Sequence, residues 1–221
     1  MRHTPLPIGK LGGMERVSVI DHPVLARSLC VMRSAETPRA AFRTAMADAA
    51  GILAYEALRD LPVATVPVRT PLEDTTATVP ARPVAIIAVL RAGLGMVDGF
   101  LRLVPDAAVG HLGLRRNERT LVPEDYYESL PAAILDSRVF LVDPMLATGG
   151  SAVAALRRLR GAGAGDLHLV CVVAAPEGLA AVRAVEPDLP ITVAAIDRGL
   201  DERGYIRPGL GDAGDRIFGT D

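Results

Sequence analysis

The sequence predicts an α/β fold: a mostly parallel, twisted sheet with helices on both faces. Three observations predict it. Short apolar runs recur (Val84–Leu90, Val139–Val142, Leu167–Val173 and Ile191–Ile196), each too short for a helix and apolar on both strand faces, as central parallel strands are. Segments of helical period alternate with these runs, the order expected of a parallel sheet with crossover helices. Glycine-rich turns follow two of the runs directly, at Arg91–Gly95 and Asp143–Ser151.

Taken in order, Thr37-Pro38 reads as a helix start, with proline at the first helical position. Phe42, Met46, Ala49 and Leu53 then recur at helical spacing, so an amphipathic helix is expected over roughly 38–60, closed by Pro62 and Pro67. Residues 70–83 read as a loop or a hairpin. Val84–Leu90 is a buried strand, Met96–Leu103 a short helix and Ala108–Leu114 a strand. Residues 115–131 read as polar and irregular, with Tyr126 and Tyr127 among them. Val139–Val142 is the next buried strand, Ala152–Arg160 a helix, Leu167–Val173 a strand, 177–186 a helix and Ile191–Ile196 a strand. No repeat or linker divides the chain, so 1–221 is expected to form one domain.

Composition narrows the function classes. The 221 residues suffice for one substantial core, and 50% are apolar, too many for a disordered chain. A net charge of −2 gives no global field for nucleic acid or a membrane surface. Lys10 is the only lysine, so no lysine in the body of the chain can act as a base or Schiff-base partner. Cys30 and Cys171 stand far apart without a C-x-x-C pair, which fits a reducing cytoplasm and argues against a disulfide framework or structural zinc. His3, His22, His111 and His168 show no ligand spacing. No apolar run reaches membrane-spanning length, and residues 1–19 read as a loose extension without the apolar core of a signal peptide.

Two loops carry candidate chemistry. In V-F-L-V-D-P-M-L-A-T-G-G-S, a buried strand ends at Asp143 and a helix begins near Ser151. Thr148 and Ser151 offer hydroxyls, Gly149 and Gly150 allow backbone N–H groups close to an anion, and the helix dipole favours negative charge. Open α/β sheets bind ligands at such strand ends. The segment is neither a Walker A loop nor a dinucleotide fingerprint. Asp143 suits ribose hydroxyls better than phosphate, so an acid beside a phosphate nest suggests a ribose 5-phosphate. The second loop, L-R-A-G-L-G-M, offers Gly93, Gly95 and the planar fork of Arg91. Either loop alone is also compatible with an ordinary strand-to-helix turn; two on one sheet suggest a ligand with phosphates at both ends. The tail, Arg198–Asp221, holds six glycines in 24 residues, which argues against a long regular element. Tyr205, Ile206, Leu210, Ile217 and Phe218 favour an ordered, functional loop.

D-P-M-L-A-T-G-G-S, L-R-A-G-L-G-M and G-Y-I-x-P-G-L-G-D-A-G-D-R-I-F-G-T together resemble the uracil phosphoribosyltransferase family. D-H-P-V-L at Asp21–Leu25, M-R at Met32–Arg33, Y-E-A-L-R-D-L-P at Tyr55–Pro62 and A-A-P-E-G at Ala174–Gly178 extend the likeness to about 21–221. The resemblance implies a type I phosphoribosyltransferase core with a hood from the N- and C-terminal segments, the base-recognition part being 198–221. It implies that Asp143, Pro144, Met145, Leu146, Ala147, Thr148, Gly149, Gly150 and Ser151 hold the ribose and 5-phosphate of 5-phosphoribosyl 1-diphosphate (PRPP). Arg91, in a loop that commonly holds a non-proline cis peptide, would contact the pyrophosphate, as would Arg116 of R-R-N-E-R-T. Uracil would be read largely by backbone groups at Ile206, Gly211, Asp212 and Ala213, with Asp212 also placed towards PRPP.

Catalysis would then rest on Arg116, Asp143 and Asp212. Mg²⁺ is the implied cofactor, held mainly by substrate phosphates and water rather than by a protein ligand set. A dimer or higher homo-oligomer is implied. GTP activates part of the family, and no residue of this sequence decides whether GTP acts here. Arg115 and Arg119 replace the family's tyrosine and second glutamate in Y-R-N-E-E-T, adding positive charge beside the pyrophosphate site. The segment 117–131 would serve as a lid. Glycine-rich backbone matches uracil's alternating carbonyls and N–H groups and should reject cytosine. Two alternatives stay open: a regulator of the same fold that binds nucleotide or RNA without turnover, and a transferase for another base.

Overall fold

The computed structural model describes residues 16–116 and 123–220, without the side chains of 114–125. Two elements precede the first helix expected from the sequence. Strand β1 (Val17–Val19) opens the described chain, and helix α1 (Pro23–Arg33) follows. D-H-P-V-L proves to be a helix start: His22 is the N-cap, its Nδ1 accepting the Val24 N–H at 3.2 Å, Pro23 is the first helical residue and Leu25 is buried. Helix α2 (Arg39–Ala57) is the expected amphipathic helix, shorter at both ends, with Phe42, Met46, Ala49 and Leu53 all buried.

Strands β2 (Val63–Arg69) and β3 (Asp74–Pro80) form the hairpin that 70–83 allowed for, and it begins earlier than expected. Pro67, expected to lie beyond a helix end, sits inside β2 instead; a two-stranded sheet leaves each strand an unpaired edge, where a missing N–H is tolerated.

The main sheet then assembles from β4 (Val84–Leu90), helix α3 (Leu94–Leu101), β5 (Ala108–Arg116), β6 (Pro123–Ser129), β7 (Arg138–Val142), β8 (Met145–Leu146), helix α4 (Gly150–Gly161), β9 (Asp166–Ala174), helix α5 (Pro176–Val185) and β10 (Ile191–Ile196). The strand order is β1-β10-β9-β7-β4-β5-β6, with β8 also paired to β9. Every pairing is parallel except β5 with β6. The reading of 115–131 as irregular is therefore corrected: Arg115 and Arg116 continue β5, and Pro123–Ser129 return as its antiparallel neighbour. An edge strand exposed on one side needs no apolar run, so its sequence does not announce it.

The sheet separates two apolar layers. On one face α1, α2, α3 and the chain end pack over Ile86, Ala88, Phe140, Val142, Val170 and Val172. On the other, α4 and α5 cover Ile87, Val139, Leu141, Leu169 and Cys171. Phe100 and Phe140 are both fully buried with ring centroids 5.4 Å apart; burial of each such ring is worth about 2–3 kcal/mol. The tail is ordered, as expected, but not without regular structure. Strands β11 (Gly199–Leu200) and β12 (Ile206–Arg207) pair antiparallel, and helix α6 (Ala213–Phe218) follows. No helix among the described residues is long and apolar enough to cross a membrane.

Candidate active site

Neighbouring strands β7 and β4 deliver the two loops to the same edge of the sheet. After β7, Asp143 turns the chain into β8, whose alternation divides its residues. Asp143, Met145, Ala147 and Ser151 line a cavity of about 370 Å³, whereas Pro144 and Leu146 do not reach it. The Pro144 carbonyl accepts the Val172 and Val173 N–H groups at 3.1 and 3.0 Å, and Leu146 is buried against β9. Thr148 is exposed, and neither it nor Gly149 or Gly150 lines the cavity. Gly149 is the N-cap of α4 at φ +82°, and no side chain caps that helix, so the N–H groups of its first turn are free for an external anion.

Small residues make this turn possible. A Cβ on Gly149 would meet the Ala181 methyl at 2.7 Å, and one on Gly178 would meet the carbonyls of Ala147 and Leu146 at 2.5 and 2.6 Å. The A-A-P-E-G motif is therefore the site where α5 packs beneath the loop between β8 and α4. The glutamate of that motif also anchors the tail. Glu177 Oε1 accepts the Leu200 N–H at 3.1 Å, fastening β11 to α5.

After β4, the Leu90–Arg91 peptide is cis and Gly93 approaches Val142 so closely that a Cβ there would lie 2.6 Å from its carbonyl oxygen. Val89, Leu90, Arg91 and Ala92 line the cavity. The tail closes the remaining side with Gly204, Tyr205, Ile206, Gly211, Asp212, Ala213 and Gly214. The Arg207–Pro208 peptide is cis and Gly211 has φ +77°. Asp212 caps α6, its Oδ1 accepting the Asp215 N–H at 3.0 Å.

The structure thus brings together Arg91, Asp143, Met145, Ala147, Ser151, Ile206, Gly211, Asp212 and Ala213. Arg116 lies at the end of β5; its side chain and that of Arg115 are outside the described residues, as are Arg119 and most of the polar stretch before β6. The Asp143 carboxyl is pushed up to about 7, because burial disfavours its charge while only the Met145 N–H, at 3.3 Å, supports it. Tyr205 at the wall was not among the expected site residues, although its place in the G-Y-I-x-P-G motif was a usable signal. Neither were Asp215 and Thr220, which hold Arg91, nor Asp197, which holds the tail at Gly209; nothing in local sequence marks these pairings.

The fold is that of the phosphoribosyltransferases. A hypoxanthine-guanine phosphoribosyltransferase from Bacillus anthracis shares it at a TM-score of 0.50 and 14% identity, over 71% of this chain and 79% of that one. The AQ2163 protein from Aquifex aeolicus superposes with a TM-score of 0.88 at 34% identity, over 93% of this chain and 99% of that one. Residues 19–220 match the family model for uracil phosphoribosyltransferase, and the chain belongs to that family. Relatives named uracil phosphoribosyltransferase are 54% identical in Salinibacter ruber, over 94% of this chain and 99% of the relative, and 48% identical in Lactococcus lactis, over 94% and 100%.

Proposed function

We propose that this chain transfers the 5-phosphoribosyl group of PRPP to N1 of uracil, giving UMP and pyrophosphate. The observation that carries this reading is the meeting, around one cavity, of the uncapped α4 N-terminus, Asp143, Arg91 and the Ile206–Ala213 backbone. The first two suit ribose 5-phosphate, Arg91 suits pyrophosphate, and the glycine-rich tail suits the polar edge of a pyrimidine dione.

In the reaction the bond from ribose C1 to the pyrophosphate oxygen breaks, the C1–N1 bond forms, and the N1 proton is released. Positive charge grows on the ribose ring in an oxocarbenium-like transition state, and negative charge grows on the leaving group. Asp143 accepts hydrogen bonds from the ribose hydroxyls, while Arg91 and Arg116 meet the departing pyrophosphate. Asp212, whose Oδ1 is engaged at the α6 cap, lines the same cavity and would offer its second oxygen to PRPP. Holding the two substrates in line supplies much of the acceleration.

Mg²⁺ belongs to the same proposal. The carboxylates of Asp143 and Asp212 at the cavity wall are hard oxygen donors, a set that fits an ion carried mainly by phosphates and water. When bound, it neutralises charge building on the pyrophosphate. A homo-oligomeric state, a response to GTP and residence in the cytoplasm extend this reading; sedimentation and rate measurements with GTP test the first two.

The deciding assay is UMP formation from uracil and PRPP with Mg²⁺, run beside cytosine, hypoxanthine and orotate. Turnover with uracil alone supports the proposal. Turnover with another base favours a different transferase, and PRPP binding without turnover on any base favours a regulator.

A further inference from the structure

Arg91 does not reach the cavity as a free side chain. Its Nη2 donates to Asp215 Oδ1 at 3.0 Å and its Nη1 donates to Thr220 Oγ1 at 3.0 Å. The Thr220 hydroxyl donates in turn to the same Asp215 oxygen at 2.7 Å, so the three groups close a ring. A guanidinium carries five N–H donors. Two are used here, leaving Nε–H and one hydrogen on each Nη for another acceptor.

The partners come from a part of the chain that packs directly on the arginine loop. A Cβ on Gly95 would lie 2.7 Å from Ile217 Cδ1, and one on Gly214 would lie 3.9 Å from Arg91 Nη2 and 4.0 Å from the Ala92 methyl. Ile217 is buried, and Arg43 Nε donates to its carbonyl at 2.6 Å. Helix α6 is thus fixed from below by α2 and holds Arg91 from above. Its N-cap Asp212 and first residue Ala213 line the same cavity as Arg91.

We propose that Asp215 and Thr220 are positioning residues for Arg91, holding its guanidinium at the orientation in which the remaining donors meet the diphosphate of PRPP. This deepens the function proposed above and rests on it. Without the pair, a long side chain that is half exposed samples many rotamers, and ordering it on binding weakens PRPP affinity. The pair is too exposed to contribute much to folding, so its effect belongs to binding.

The test compares wild type with Asp215→Asn, Thr220→Val, Arg91→Ala and the double variant Asp215→Asn/Arg91→Ala, measuring kcat, both KM values, PRPP binding by calorimetry and Tm. Asparagine keeps the shape and one acceptor but removes the charge. Asp215→Asn is expected to raise the PRPP KM and Kd about fivefold with Tm and uracil KM little changed, and Thr220→Val to act in the same direction. In the Arg91→Ala background Asp215→Asn should add nothing further. Unchanged or tighter PRPP binding in Asp215→Asn would overturn the proposal, as would additive losses in the double variant. Equal rises in both KM values with a lowered Tm would mark a merely structural role and overturn it too. Wild type that binds PRPP without making UMP would defeat the function reading alone, because the calorimetric comparison still decides the role of Asp215.

Discussion

Arg33 and Asp197 form a two-pronged ion pair: Nη1 donates to Oδ2 at 2.9 Å and Nη2 to Oδ1 at 2.5 Å. The pair also grips one residue of the tail from both sides, since Arg33 Nη1 donates to the Gly209 carbonyl at 2.8 Å and Asp197 Oδ2 accepts the Gly209 N–H at 2.9 Å. Gly209 has φ +63° and leads into Leu210–Ala213. The M-R motif of α1 therefore acts at a distance, by fixing the turn that leads the tail to the cavity wall.

Asp197→Ala should accordingly do two things. The Asp197 side chain is 4% exposed and that of Arg33 25%, so removing the acid strands a largely buried cation, at a cost of about 2–4 kcal/mol, discounted for the partial exposure of Arg33. Urea unfolding would measure this. At temperatures where the variant stays folded, its uracil KM should rise more than its PRPP KM; the opposite ranking would contradict the link between this pair and base binding.

The pH dependence of PRPP use should report Asp143. Its carboxyl is pushed up to about 7, and in the proposed reaction the ribose hydroxyls need it as an acceptor. Below that value kcat/KM for PRPP should fall about tenfold per pH unit, and Asp143→Asn should be slow with this limb absent. An unaltered acidic limb in the variant would assign the titration to another group.

Two groups should tilt stability against pH in opposite senses. Asp143 has a folded value raised from the usual 3.8, so between about pH 4 and 7 the folded state holds the extra proton, and stability falls as pH rises through that window. His168 is pushed down to about 3 by burial and by the Arg138 charge. From pH 6.5 down to about 3 the unfolded state binds the proton instead, so stability falls as pH drops. Its ring is held between Thr192 Oγ1 at 2.9 Å and Arg138 Nη2 at 3.4 Å. Relative to wild type, Asp143→Asn should make the protein more acid-labile in slope and His168→Gln less so, read by urea midpoints at about pH 4.5 and 6.5.

Gly149→Ala tests the phosphate turn. At φ +82° an L residue is strained by about 1–2 kcal/mol, and its methyl would meet Ala181 at 2.7 Å. The PRPP KM should rise more than about tenfold while uracil binding changes little. Gly165→Ala, with nothing within 4 Å of the added methyl, serves as the neutral comparison in both binding and Tm.

The central strands were legible because burial on both faces demands a short apolar run, and the two glycine-rich loops because close backbone approach demands glycine. Helix α2 was legible from its period, whereas α1 went unread, although its buried Leu25, Ser28 and Met32 recur at helical spacing after a His-Pro start. Strand β6 was hidden because an exposed edge places no apolar demand on its residues. The tail's sequence predicted order, and the motifs singled out Arg91, Asp143, Ile206 and Gly211–Ala213, which the structure places around one cavity.

Sequence alone thus determined the α/β class and the family and singled out the two loops that meet at one cavity, since these depend on local pattern and residue type. Only the tertiary structure decided what holds those groups in place: Asp215 and Thr220 against Arg91, Asp197 and Arg33 around Gly209, Glu177 on β11, Gly178 beneath the phosphate loop. Each of these contacts joins residues far apart in the chain. A hydrogen bond or a close packing distance leaves no mark on the residues flanking either partner, so the pairing exists only once the sheet and its helices have brought both ends to one place.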